Sequence, residues 1–221
     1  MKKVLFFFAA ALCSLFLSCK KDDANLEPVV DIDGNEYTVV KIGDQYWLTQ
    51  NLITTRYNDG TTIATGLSDS AWAAATTGAY SLYDDVASNN TIYGKMYNWQ
   101  AASSGKLAPA GWHVPTRAEW TKLVEFLGGS GVAGGKLKST SSLWNAPNTG
   151  ADNSSGFNGL PGGNKSNLGN YVSLGNAGYW WASSERNSTQ GDYTSLDNSL
   201  ASSASNGATK QFGMSVRCVK D

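Results

Sequence analysis

The residue types that most often do chemistry are sparse in this chain, and their spacing argues against a reactive centre. His113 is the only histidine, and no Ser or Cys nucleophile motif accompanies it. A hydrogen-bonded structural imidazole is therefore expected, and a metal site of the His and Cys type is not. Asp84 and Asp85 stand side by side, but a calcium pair would need further oxygens converging from elsewhere, so a solvated turn is expected. Glu119 follows Thr116 by three residues, the spacing of a capping box, which makes it a poor general acid or base. Glu185 and Asp192 have no carboxylate partner placed by sequence. Gly131, Gly134 and Gly135 lack the preceding strand and the Lys-Ser or Lys-Thr ending of a phosphate loop. What remains is recognition chemistry: Asn187, Gln190, Asp192 and Tyr193 combine amide, acid and aromatic groups within seven positions. Such groups hydrogen-bond to and stack on a sugar or a protein, and the stretch is expected to be a surface loop forming part of a recognition face. No cofactor is expected.

Composition sets the frame for these groups. A chain of 221 residues with net charge -1 is one domain's worth, with no electrostatic reason to bind nucleic acid. Eight Trp, ten Tyr and 24 Gly favour short strands and irregular loops over a helical bundle. The cysteines are Cys13, Cys19 and Cys218. With Cys13 inside a removable segment and Cys19 modified, Cys218 has no partner, which excludes a disulfide framework and leaves it a small buried hydrophobe in a final strand.

The elements that must position the polar groups are legible in order. Around His113 and Glu119 the sequence GWHVPTRAEWTKLVEFLGG predicts a helix capped by Thr116. Pro115 holds the entrance extended, Trp120, Leu123, Val124 and Leu127 form one apolar stripe, and Gly128 and Gly129 end the helix in a left-handed cap. Residues 29–52 predict an antiparallel meander with turns at Asp33-Gly34 and Gly43-Asp44. A short helix is expected over 70–75, and an Asn-rich turn at Ser88, Asn89 and Asn90 between two aromatic clusters. Residues 145–178 read as a Gly, Asn and Ser region held by Trp144, Phe157, Leu160, Tyr171 and Val172. Residues 179–184 and 213–219 read as strands. Between them, 185–211 reads as a variable loop region with a strand around 193–196.

The N-terminus is read as a signal peptide over residues 1–18: Lys2 and Lys3, then an apolar run over 4–17 too short to span a bilayer. Leu17-Ser18-Cys19 resembles a bacterial lipobox of the looser form usual in the Bacteroidetes. Lys20, Lys21, Asp22 and Asp23 are similar to the surface-export signal of lipoproteins there. Cys19 is thus the expected lipidation site and the link to the membrane, residues 19–28 an acylated tether, and residues 29–221 the domain. Several acyl chains at about 0.8 kcal/mol per buried methylene give lasting attachment.

An ordered set of motifs resembles one family. Ile42-Gly43 is followed by Gln45, Trp47 and Asn51-Leu52, then YGKMYNW around Trp99, GWHVPTRAEW from Gly111 and GGKLK from Gly134. SGFNGLPGG from Ser155, GYWWASSE from Gly178 and the closing SVRCVKD from Ser215 complete it. On these the chain is identified as a member of the fibrobacter succinogenes major paralogous domain of bacterial lipoproteins. That family is similar to the C-type lectin-like group that includes the formylglycine-generating sulfatase modifiers. The resemblance implies an α+β fold of C-type lectin-like type, with irregular antiparallel sheets, few helices, long loops and ends that come together. It does not imply the oxidase chemistry, whose copper-binding cysteine pair is missing, and the EPN, QPD and WND calcium motifs of lectins are absent. The expected function is that of an outward-facing outer-membrane lipoprotein whose non-catalytic domain binds a glycan or another surface protein. An enzyme of the formylglycine-generating-like branch and a structural adhesion module are the alternatives.

Overall fold

The computed structural model describes residues 26–221. The expected signal peptide at 1–18, the expected lipidation site Cys19 and most of the expected tether lie outside the described residues. The domain is α+β: five helices and several small antiparallel sheets, none closed into a barrel. None of the described helices is long and apolar enough to cross a membrane.

Two sheets carry the architecture. A four-stranded sheet runs in the order Val39–Ile42, Gln45–Leu48, Val219–Lys220, Trp112–His113. Val219 pairs with Trp47 on one side and His113 on the other, so the ends of the domain come together. A three-stranded sheet is the antiparallel succession Ala177–Asn187, Gln190–Asp197 and Ser203–Thr209. The expected meander over 29–52 is divided. Val29–Val30 pairs only with Glu36–Tyr37 as a separate ribbon, while Val39–Ile42 and Gln45–Leu48 form a hairpin of the larger sheet.

Period-two alternation builds two cores, because successive side chains of a strand point to opposite faces. Trp180 enters one cluster with Trp47, Trp120, Leu123, Leu137 and Phe157, whereas Trp181 enters another with Leu48, Tyr97, Val216 and Cys218. The Arg117–Phe126 helix closes the first cluster. Its capping box is complete, with Thr116 Oγ1 accepting from Glu119 N and the Glu119 carboxylate accepting from Thr116 N. Trp120 and Leu123 are buried, and Gly128 takes the expected positive φ of 100°.

Four expectations are corrected. Residues 88–90 lie within the Ala87–Tyr93 helix, where buried Tyr93 and the Asn89 amide donating to Tyr83 O override the local turn preference. The short helix is Asp69–Ala73, capped by Ser68 two residues earlier than expected. Residues 213–219 do not form one strand. They make single bridges to Lys165, Tyr97 and Trp180, and only Val219–Lys220 enters a ladder. Most of the expected loop over 185–211 is sheet. An unexpected helix, Ser130–Leu137, contains Gly134 and Gly135 at points where a Cβ would lie 2.1 Å from Ser202 O and 2.2 Å from Gly150 O. Glycine is there for close approach, at a cost in helix propensity that hid the helix. The 145–178 region is ordered, with Trp144 and Phe157 buried as expected, although Val172 is 43% exposed.

Arg217 joins both sheets. It is buried and donates through Nε (3.2 Å) and Nη2 (2.8 Å) to Asn51 Oδ1, through Nη1 to Leu48 O (3.1 Å), and also to Phe157 O. Asn51 Oδ1 accepts in addition from Trp180 Nε1 at 2.8 Å, and its Nδ2 donates to Tyr93 O at 2.8 Å and Ser215 Oγ at 3.2 Å. Asn51→Ala would leave a charged and a neutral donor without their acceptor in a dry site, so a loss of about 3–5 kcal/mol is expected in urea denaturation. A loss below about 1 kcal/mol would mean that another group takes over as acceptor.

Candidate functional site

The groups with catalytic potential are already engaged. His113 Nδ1 lies 2.6 Å from Asp221 Oδ1, and Nε2 lies 2.7 Å from Glu119 Oε1, so both ring nitrogens are held by carboxylates. Burial alone pulls the His113 pKa down, but the two carboxylates outweigh it and raise the value above that of an ordinary imidazole. Burial likewise pushes Glu119 up, and hydrogen bonds from the Thr116 backbone and hydroxyl and from His113 reverse this, lowering its pKa. The clamp ties the closing strand to the entrance of the Arg117–Phe126 helix, the structural role expected of His113. Cys218 is a buried free thiol whose pKa burial drives far up. Asp84 and Asp85 form an exposed turn, with Asp85 accepting from Tyr171 OH at 2.9 Å. Among the described residues, no three His, Cys, Asp or Glu side chains gather as a metal site.

A groove of about 250 Å³ lies between the capped helix and the three-stranded sheet. One wall is Trp120, Thr121, Val124 and Glu125 from the helix, closed at its end by Gly129 and Ser130. The other is Thr194, Ser203, Ala204 and Ser205 from the sheet. Thr194 is directly opposite Ser205, and Leu196 opposite Ser203, so these residues share one face. The lining is thus hydroxyl-rich over an apolar base, with one carboxylate.

Asn187, Gln190, Asp192 and Tyr193 do not form a loop. Asn187 ends one strand and Gln190 begins the next. The Asn187 side chain organises the tight turn, its Oδ1 accepting from Thr189 N and Gln190 N at 3.0 Å and its Nδ2 donating to Gln190 Oε1 at 3.1 Å. Tyr193 turns to the face opposite the groove and packs on Tyr179 and Trp181, with ring centroids 5.9 and 6.2 Å away. Asp192 is buried, contrary to the expected surface position, because Arg186 Nη1 at 3.2 Å and Arg117 Nη1 at 3.7 Å cover it. Of the four, Gln190 and Asp192 are on the strand face that also carries Thr194.

The groove residues were not singled out by sequence. Thr121 and Glu125 stand four apart on the helix, a spacing that puts both on one side of the apolar stripe. Ser203 and Ser205 alternate in a run too polar to read as a strand, so nothing local linked them to the helix.

A family model described as the Fibrobacter succinogenes major domain matches residues 40–220. Neither a curated protein nor a solved structure matches the chain. The matched span contains the groove, Asn51 and Arg217, and most of the carboxylate clamp.

The clamp predicts a pH profile. The His113 contribution is complete below the ordinary imidazole value of 6.5 and is lost as pH rises through the raised folded value. The Glu119 contribution is complete above its ordinary 4.5 and is lost as pH falls through the lowered folded value. Urea denaturation of the parent should therefore show stability falling as pH rises past 6.5, and His113→Gln should flatten that limb. Equal slopes for the two proteins would show that the imidazole does not titrate with folding.

Proposed function

The chain belongs to the Fibrobacter succinogenes major domain family, and we propose that it is an outward-facing outer-membrane lipoprotein whose C-type lectin-like domain binds a glycan without chemistry. The observation that carries this reading is the groove between the Arg117–Phe126 helix and the sheet. Thr121 and Ser130 on the helix side and Ser205 on the sheet side offer exposed hydroxyls, Val124 supplies apolar surface, and Trp120, Thr194 and Ser203 form the buried floor beneath them. Sugars present the same mixture, hydroxyl edges around apolar ring faces, and a groove that hydrogen-bonds from two sides fixes both orientation and identity.

The lectin-like assignment draws support from the irregular antiparallel sheets and from closing strand Val219–Lys220 lying beside Gln45–Leu48. The absence of chemistry draws support from the engagement of His113 and Glu119 with each other and from the burial of Cys218. Asn187 and Gln190, at the turn of the hairpin, extend the proposed recognition face. Asp192 serves it by holding Arg186 and Arg117 in place, and Tyr193 by packing behind the sheet.

Lipidation at Cys19 supplies the anchor in this reading. Mass analysis of the parent should give the diacylglycerol adduct on Cys19, and Cys19→Ala should release the protein from the membrane fraction. A variant that stays membrane-bound would require another anchor.

The groove is tested with the full chain in detergent on a glycan array. The parent should bind at least one glycan class, and Ser205→Trp, at an exposed position on the sheet wall, should lose that binding. Its stability should change by less than about 0.5 kcal/mol, since it alters a surface side chain. A Ser205→Trp protein that binds as the parent does would remove the groove as the site.

A further inference from the structure

At the start of the capped helix, one buried carboxylate is shared by two guanidinium groups. The Asp192 side chain is only 4% exposed, and the same Oδ1 is approached by Arg186 Nη1 at 3.2 Å and Arg117 Nη1 at 3.7 Å. One negative charge against two positive charges leaves a positive charge over. Arg186 takes the hydrogen bond. The Arg117 contact lies beyond hydrogen-bonding range and is only Coulombic. Among the described residues the Arg117 guanidinium donates to no acceptor, and its side chain is 52% exposed. Its backbone is nevertheless fixed, being the first residue of a ten-residue helix with its N–H donating to Ser184 Oγ at 2.9 Å.

The cluster is built into the sheet. Gly207 is opposite Asp192 in the ladder, and a Cβ there would stand 2.2 Å from Arg186 Cδ. Glycine at that position leaves room for Arg186 to lie across the strand and reach Asp192. Two elements independently put this cluster next to the groove. Thr121 lies one turn after Arg117 on the helix, about 6 Å along the axis. Thr194 lies two residues after Asp192 on the same strand face, about 7 Å away. Thr121 and Thr194 both line the groove. Glu125, which lines the groove, lies one further turn along, so its carboxylate is about two helical turns from the surplus positive charge that stands beside the groove.

We infer that Arg117, beside the groove, forms a carboxylate subsite, and that the ligand is a glycan bearing uronic acid residues, oriented with its acid group toward Arg117 and its hydroxyls along Thr121 and Ser205. The inference rests on the glycan-binding reading of the groove and specifies its ligand class. A guanidinium matches a planar carboxylate with two parallel N–H donors, which a lysine or a hydroxyl does not. Asp192 keeps Arg117 over the sheet while leaving its donors unused, and Glu125 repels an acid group placed the other way round.

The test uses the full chain in detergent, titrated calorimetrically with oligosaccharides from pectate and alginate, and with the same oligosaccharides after reduction of their carboxyl groups to alcohols. The parent should bind at least one acidic form about tenfold or more tightly than its reduced counterpart. Arg117→Gln should bring that ratio close to one while leaving the affinity for the reduced form unchanged. Glu125→Gln should not weaken the acidic form. Equal affinity of the parent for acidic and reduced forms, discrimination that survives in Arg117→Gln, or no binding of either form would each overturn the inference. If array binding to neutral glycans is lost in Ser205→Trp, the groove reading stands even when the carboxylate subsite fails; if the array is also blank, both fall.

Discussion

A guanidinium buried without any carboxylate beside it is the constraint around which this domain is arranged. Removing such a charge from water costs several kcal/mol, and burial pushes the Arg217 pKa down to about 9, so it remains protonated at neutral pH. The compensation comes from oxygens that are themselves fixed: the Asn51 amide, Leu48 O and Phe157 O, with the Phe157 ring under the guanidinium at 4.2 Å. Leu48 and Asn51 belong to the hairpin and the residues just after it, and Phe157 to a distant connection. The hairpin of the larger sheet, the long connection over 145–178 and the closing segment can therefore satisfy this cation only when all of them are in place. Asn51 extends the requirement to Trp180 and Tyr93.

Other buried cations follow the same pattern. Lys138 donates to Thr149 O, Asp197 O and Leu200 O at 2.8 to 2.9 Å and lies over the Trp144 ring. Lys95 donates to Asn90 Oδ1 with the Tyr80 ring beneath it, and Lys165 sits between the rings of Trp72 and Tyr171. Among the described residues none of these lysines forms a salt bridge. A chain rich in tryptophan, tyrosine and irregular backbone has many ring faces and carbonyl oxygens to offer, and these hold positive charge where carboxylates would otherwise be needed. Lys138 shows the structural result, since its three acceptors pin the connection after the Ser130–Leu137 helix to the end of the three-stranded sheet.

This frame gives the groove its rigidity. The capped helix is fixed at its entrance by the Thr116 and Glu119 capping box and by the His113 clamp, and along its length by Trp120, 4.9 Å from Trp47 between ring centroids. Thr121, Val124 and Glu125 are then presented by a helix that cannot shift without breaking core contacts. The opposite wall is a ladder in register from Gln190 to Thr209. Side chains held on two regular elements keep their geometry better than side chains on a loop, which favours recognition by a preformed site.

By itself the sequence determined the capped helix with its buried stripe, the turn at Gly43, a strand through Trp180 and Trp181, the structural roles of His113 and Cys218, the α+β class and the family. All of these depend on local spacing: cap to third residue, period 3.6, period two, or a fixed order of motifs. Only the tertiary structure decided what the polar stretch from Glu185 to Gln211 would be. Apart from Leu196, its strands bury glycine, serine, threonine and aspartate, so alternation in the sequence carries little hydrophobic signal. Asp192 is buried because two arginines, one of them 75 positions earlier, cover it. The 213–219 segment reads as one apolar strand, yet it is shared among several partners because it threads between sheets that assemble only in three dimensions. The groove is likewise a product of assembly, since the helix and the sheet that form its walls are distant in sequence and are brought together by the packing of Trp120 and Trp180 in one core.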